Sequence, residues 1–210
     1  IQGHVEEGLE AWEQAKDLEP AFKHTLPAVL RMLIYWRHFK TAQRYLAQEW
    51  VKPRRLFYSG LIAFKNNRMP SAADAWNKVL EYKPEALTEG QDEFAETCLR
   101  LLRPSLALEI LEPIAEQGMI DRTQGVHSYR LLMLGLAWAQ RRVINRAKAA
   151  LDIALRTADL ERPRRTRPVG ENGCASGRIL DARARILYGD IRLDPDVRQM
   201  LDPYFIPGKG

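Results

Sequence analysis

A thirteen-residue phrase is written twice in this chain. Gly8 to Pro20 reads GLEAWEQAKDLEP and Ala72 to Pro84 reads AADAWNKVLEYKP. Each places a small residue, a Trp four later, Ala or Val three after that, and Pro five further on. A relaxed form of the template recurs at Ala42/Leu46/Glu49, Ala107/Leu111/Ile114 and Ala147/Leu151/Ala154, so that the small residues are spaced by 34, 30, 35 and 40. A drifting period of about 34 residues is the mark of stacked helical hairpins. The template itself is helical, because positions i, i+4 and i+7 share one face. The small residue lets a partner helix approach, and the large one fills the space beyond it. Pro20, Pro53 and Pro84 are expected to stop the helices, since Pro has no N–H and clashes with the preceding turn.

The partner helix carries a matching mark. Twelve residues before the small positions stand Gly60, Ala95 and Gly135, with Leu30 as the exception. Around them LIYWRHF, LFYSGLIAF, FAETCLRLL and LLMLGLAWA repeat apolar residues at steps of three and four, which predicts amphipathic helices.

The segment YRLLMLGLAWAQRRVINRAKAALDIAL, with Leu131, Leu134, Gly135 and Trp138 followed by Ala147 and Leu151, resembles the tetratricopeptide repeat (TPR) signature. The resemblance extends over about Ile1 to Ala158 as four and a half repeats. It implies an all-α fold, a right-handed superhelical array of antiparallel helix hairpins over 1–160. A basic Gly/Pro/Arg loop follows at 161–178, then capping helices and a tail at 179–210. The first unit offers only a second helix and the chain opens at Ile1 without Met, from which a longer parent protein is expected.

In such an array the first helices line a concave groove. The resemblance therefore implies a peptide-binding surface of Arg31, Tyr35, Arg54, Phe57, Tyr58, Leu61, Phe64, Lys65, Glu96 and Arg100. Its centre is aromatic and its border charged, which suits an acidic or amphipathic segment of another protein; in a tightly wound array Phe57, Leu61 and Leu136 serve equally well as packing between neighbouring first helices. TPR domains that capture acidic chaperone tails use Lys and Asn on these helices. Here Pro27 and Arg31, Phe57 and Leu61, and Leu132 and Leu136 stand in the corresponding places, so that specialised clamp is not expected.

Charge separates the two ends of the chain. The whole carries +5, yet residues 141–192 hold thirteen Lys/Arg against six Asp/Glu. Within it, Arg162, Arg164, Arg165 and Arg167 form a cluster able to neutralise phosphates of nucleic acid or another anionic surface. No aromatic interleaves them to stack on bases, and charge runs are more often solvated linkers. Nucleic acid is thus the second partner class, behind protein.

Chemistry has little footing. The four histidines, His4, His24, His38 and His127, are scattered, no phosphate loop or strained nucleophile turn appears, and Cys98 and Cys174 lack metal-ligand spacing. Glu89, Asp92, Glu93 and Glu96 recur at helical steps, either as a cation site or as a charged helix face. The reading is a non-catalytic scaffold without cofactor or metal. A docking segment of a larger enzyme is a third possibility. The thiol content suits a reduced, cytoplasmic setting. The longest apolar run, Leu131 to Ala139, is half the length needed to span a bilayer.

Overall fold

The structure, a computed structural model, describes residues 2–19, 25–83, 87, 89–120, 128–161 and 182. Among these the regular structure is all helical. It comprises α1 (Gln2–Leu18), α2 (Leu26–Tyr35), α3 (Phe39–Leu46), α4 (Lys52–Lys65), α5 (Met69–Val79), α6 (Gln91–Arg100), α7 (Pro104–Ile120), α8 (Ser128–Gln140) and α9 (Ile144–Glu161). The chain forms two compact units, Ile1–Trp50 and Val51–Gly210. The first holds α1 to α3 and the second α4 to α9. The boundary falls inside the span expected as one array, while the expected loop at 161–178 and caps at 179–210 lie almost wholly outside the described residues.

One local design is written four times, in the pairs α2–α3, α4–α5, α6–α7 and α8–α9. Each first helix is closed by a residue in the left-handed region: Arg37 at φ 62°, Asn67 at 58°, Leu102 at 55° and Arg142 at 61°. The amide of that residue donates to the carbonyl three back, as Asn67 to Phe64 at 2.9 Å and Arg142 to Ala139 at 2.9 Å. The next amide reaches five back: His38 to Leu33 at 2.8 Å, Arg68 to Ala63 at 2.9 Å, Arg103 to Cys98 at 2.7 Å and Val143 to Trp138 at 2.9 Å. This is the double bond of a Schellman cap, which satisfies the last carbonyls of a helix and reverses the chain. Five residues after each left-handed residue comes Ala42, Ala72, Ala107 or Ala147. All four are completely buried, and each amide donates into the first turn of the returning helix. The period read from the alanines is thus the period of the turn.

The glycines work differently from the simple picture of two small residues facing each other. A Cβ on Gly60 would collide with the Trp76 indole, lying 2.6 Å from its Cδ1, and one on Gly135 would lie 2.7 Å from Leu151 Cγ. The large residue of the template therefore lies directly over the glycine of the partner helix. At Gly60 this brings the indole Nε1 within 3.2 Å of the Phe57 carbonyl, to which it donates. Where Leu30 replaces glycine, the α2–α3 pair closes with Leu26, Leu30 and Leu33 buried instead.

The prolines also act differently. Pro53 lies in the first turn of α4, as Pro27 does in α2 and Pro70 in α5. In the first turn the missing N–H costs nothing, because that donor has no helical acceptor. Pro53 therefore opens a helix, and α3 has already ended at Leu46. Pro20 and Pro84 fall outside the described residues.

In the second unit the first helices α4, α6 and α8 lie side by side and parallel. Near their starts Arg54 and Tyr58 of α4 meet Glu93 of α6, and Asp92 meets Arg130 of α8. Near their ends the Gln140 side chain of α8 donates to the Leu99 carbonyl of α6 at 2.9 Å, and Arg100 lies over Phe64 of α4. The returning helices pack against them, α5 on α4, α9 on α8, and α7 on both α6 and α8.

Candidate binding surfaces

The stripe expected to be an open aromatic groove is closed. Phe57, Tyr58 and Phe64 have no exposed surface and Leu61 has 5%. Phe57 packs edge-on against Tyr58 with ring centroids 5.1 Å apart, and Phe64 tilts over Trp76 at 5.9 Å. The reason is geometric: parallel first helices in contact turn the faces assigned to a groove against each other. Burial of large aromatics at such a contact is the most favourable use of their area.

Glu96 and Arg100 are drawn into the same interior. The Arg100 Nε and Nη2 donate to Glu96 Oε1 at 3.0 and 2.6 Å, and both side chains are only 1% exposed. The second carboxylate oxygen accepts the Tyr129 hydroxyl from α8. The guanidinium stacks over Phe64 at 5.4 Å and Trp76 at 5.2 Å. Beside it the Tyr58 hydroxyl donates to Glu93 Oε1 at 3.1 Å, while Arg54 lies 3.5 Å from both Glu93 and Glu89. Arg130 and Asp92, each about a third exposed, pair at 2.6 Å. The acidic run of α6 is thus neither a cation site nor a solvated face. Its carboxylates are addressed in turn to α4 and α8; only Arg100 stands at helical spacing from its partner Glu96, while Arg54 and Arg130 answer from neighbouring helices, where sequence spacing does not join them.

Of the other expected groove residues, Lys65 is half-buried with its ammonium 6.0 Å above Phe64. Arg31 and Tyr35 belong to α2 in the first unit, half-buried and 48% exposed respectively. Arg162, Arg164, Arg165 and Arg167 lie outside the described residues.

The first unit contains an open cleft of about 530 Å³ that the sequence reading missed. On one wall α1 presents Glu6, Glu10, Glu13 and Gln14; on the other stand His38, Thr41 and Arg44. Its floor is Val5, Leu9 and Tyr45, all buried. The available signal was the Glu6, Glu10, Glu13 spacing of four and three, which places these carboxylates on one helix face. Glu13 is held below the usual carboxylate range, first by its bond to Lys16 and then by the Tyr45 hydroxyl and neighbouring donors, against burial. Burial, with the Glu13 carboxylate beside it, pushes the Tyr45 phenol up. Tyr45 also meets Trp12 edge-on at 5.6 Å, and the Trp12 indole donates to Thr25 Oγ1 at 2.7 Å. These contacts tie α1 to α3 and to Thr25 at the start of α2, while Glu6 and Glu10 stay exposed to solvent.

Cys98 is completely buried, and burial pushes its thiol up to about 12. It is a packing residue, unsuited to nucleophilic work. No cluster of metal-ligating side chains occurs among the described residues, and no described helix is long and apolar enough to cross a membrane. Compared with known proteins, the chain matches no family model, no curated protein and no solved structure.

Proposed function

We propose that the chain is a TPR-like interaction module, a superhelical array of hairpins that holds a peptide or helical segment of another protein and performs no chemistry itself, in the cytoplasm. The observation that carries this reading is the fourfold recurrence of one capped hairpin with its buried alanine at a fixed place. Stacking a repeated hairpin yields an extended surface in which side chains at equivalent positions vary freely, the usual basis of partner recognition by helical repeats. The cleft between α1 and α3 suits that role, with an apolar floor and walls of opposite charge that fix the orientation of a bound segment.

Affinity capture with the intact chain as bait, followed by titration of the purified prey, tests the reading. A protein that binds saturably, and whose binding region reduces to a short segment, is the expected result. Retention of nothing above an unrelated helical bait overturns it.

A further inference from the structure

The parallel arrangement of α4, α6 and α8 has a corollary for their turns. Because the helix ends lie together, the three Schellman turns of the second unit line one edge. That edge is basic, with Arg68 at the first turn, Arg103 at the second, and Arg141 and Arg142 at the third, all exposed. Residues 66–69, 101–104 and 141–144 contain no Asp or Glu. None of the four arginines forms an ion pair among the described residues, in contrast to Arg54, Arg100 and Arg130 at the inner face. Between the arginines two large aliphatic side chains face solvent, Leu102 at 37% and Ile144 at 39% exposure.

We propose that this turn edge docks an acidic segment of a partner protein in which carboxylates alternate with aliphatic side chains. The proposal rests on the interaction reading above and names the partner's chemistry. Cations near helix C-termini complement the helix dipole whether or not anything binds. That accounts for the charge, but not for the exposed Leu102 and Ile144, which gain only by being covered. A nucleic acid would use the guanidinium groups and leave the aliphatic pair without counterpart. It would also call for stacking surfaces, and among the described residues the exposed aromatics Tyr35, Trp36 and Trp50 all belong to the first unit. A glutamate-and-leucine segment answers both features, with guanidinium–carboxylate bonds between apolar contacts.

The test is fluorescence anisotropy with the full chain and a labelled synthetic peptide of glutamates interspersed with leucines. A serine-for-glutamate peptide and a single-stranded oligonucleotide serve as competitors. The acidic peptide should bind, weaken as salt is raised, and resist both competitors. Arg103→Gln with Arg141→Gln should weaken it roughly tenfold or more. Leu102→Asn with Ile144→Asn keeps every charge and a residue tolerant of the left-handed turn, and should weaken it too. No binding of the acidic peptide, tighter binding of the oligonucleotide, or undiminished binding by either folded double variant overturns the proposal. A natural prey captured equally well by Arg103→Gln/Arg141→Gln would also overturn it while leaving the interaction reading intact. The absence of any saturable prey overturns that reading instead.

Discussion

Leu102 is held at φ 55°, where a β-carbon crowds the following carbonyl at a cost of about 1–2 kcal/mol. Glycine has no such penalty. Leu102→Gly is therefore expected to stabilise the chain by about 1 kcal/mol, after subtracting the extra freedom of the unfolded chain. Asn67→Gly should gain less, since Asn tolerates this region. Urea midpoints of the two variants check both, and a lower midpoint for Leu102→Gly would mean that its side chain holds the turn by packing. Cys98 gives a second reading at this scale. Its thiol is raised from 9.0 to about 12 by burial, so the folded state favours the protonated form. The stability this represents is present below pH 9 and lost as pH rises from there toward 12. In a Cys174→Ser background, Ellman's reagent should find no reactive thiol until denaturant opens the fold. Prompt reaction at neutral pH would place Cys98 in a locally opening helix.

Among the elements, the hairpin was legible and its reason was not. The alanine-plus-four template located α3, α5, α7 and α9 because a buried alanine and a large apolar residue four on are both required where two helices cross. The left-handed residue that sets the period was hidden, since two arginines, an asparagine and a leucine fill that place and only the backbone angle is common to all four. The groove residues misled for a related reason. Periodicity says which side chains share a face and leaves open whether a neighbouring helix covers it, so Phe57, Tyr58 and Phe64 read equally well as surface or core. Crossing geometry gives the prediction here. Gly135→Leu drives a side chain into Leu151, and Gly60→Ala into the Trp76 ring, displacing its bond to the Phe57 carbonyl. Each is expected to cost about 1–3 kcal/mol, read as a fall in melting temperature. For Gly60→Ala the fluorescence of Trp76 should change as well. Unchanged melting of either variant would show that the hairpin relaxes without loss.

For the molecule as a whole, the charged side chains of α6 decide how the second unit is ordered. Removing one partner of a buried pair strands the other without solvent, at about 3–5 kcal/mol. Arg100→Met should therefore be severely destabilising, while Arg100→Met with Glu96→Leu should recover much of the loss despite removing both charges. Chemical denaturation of the four members of that cycle measures it, and a double variant no better than the single would place the defect in lost stacking on Phe64 and Trp76. The same addressing has a bearing on ancestry. Hairpins that share one turn and one alanine crossing are natural units of duplication and deletion, but α6–α7 is not interchangeable with its neighbours. Its Glu93 answers a tyrosine before it in the stack, and its Glu96 another after it. A copy inserted elsewhere, or a deletion joining α5 to α8, would leave a carboxylate or a phenol facing hydrocarbon. The chain can thus lengthen or shorten at its flanks more readily than at this hairpin, whose place in the order is fixed by what it carries on both sides.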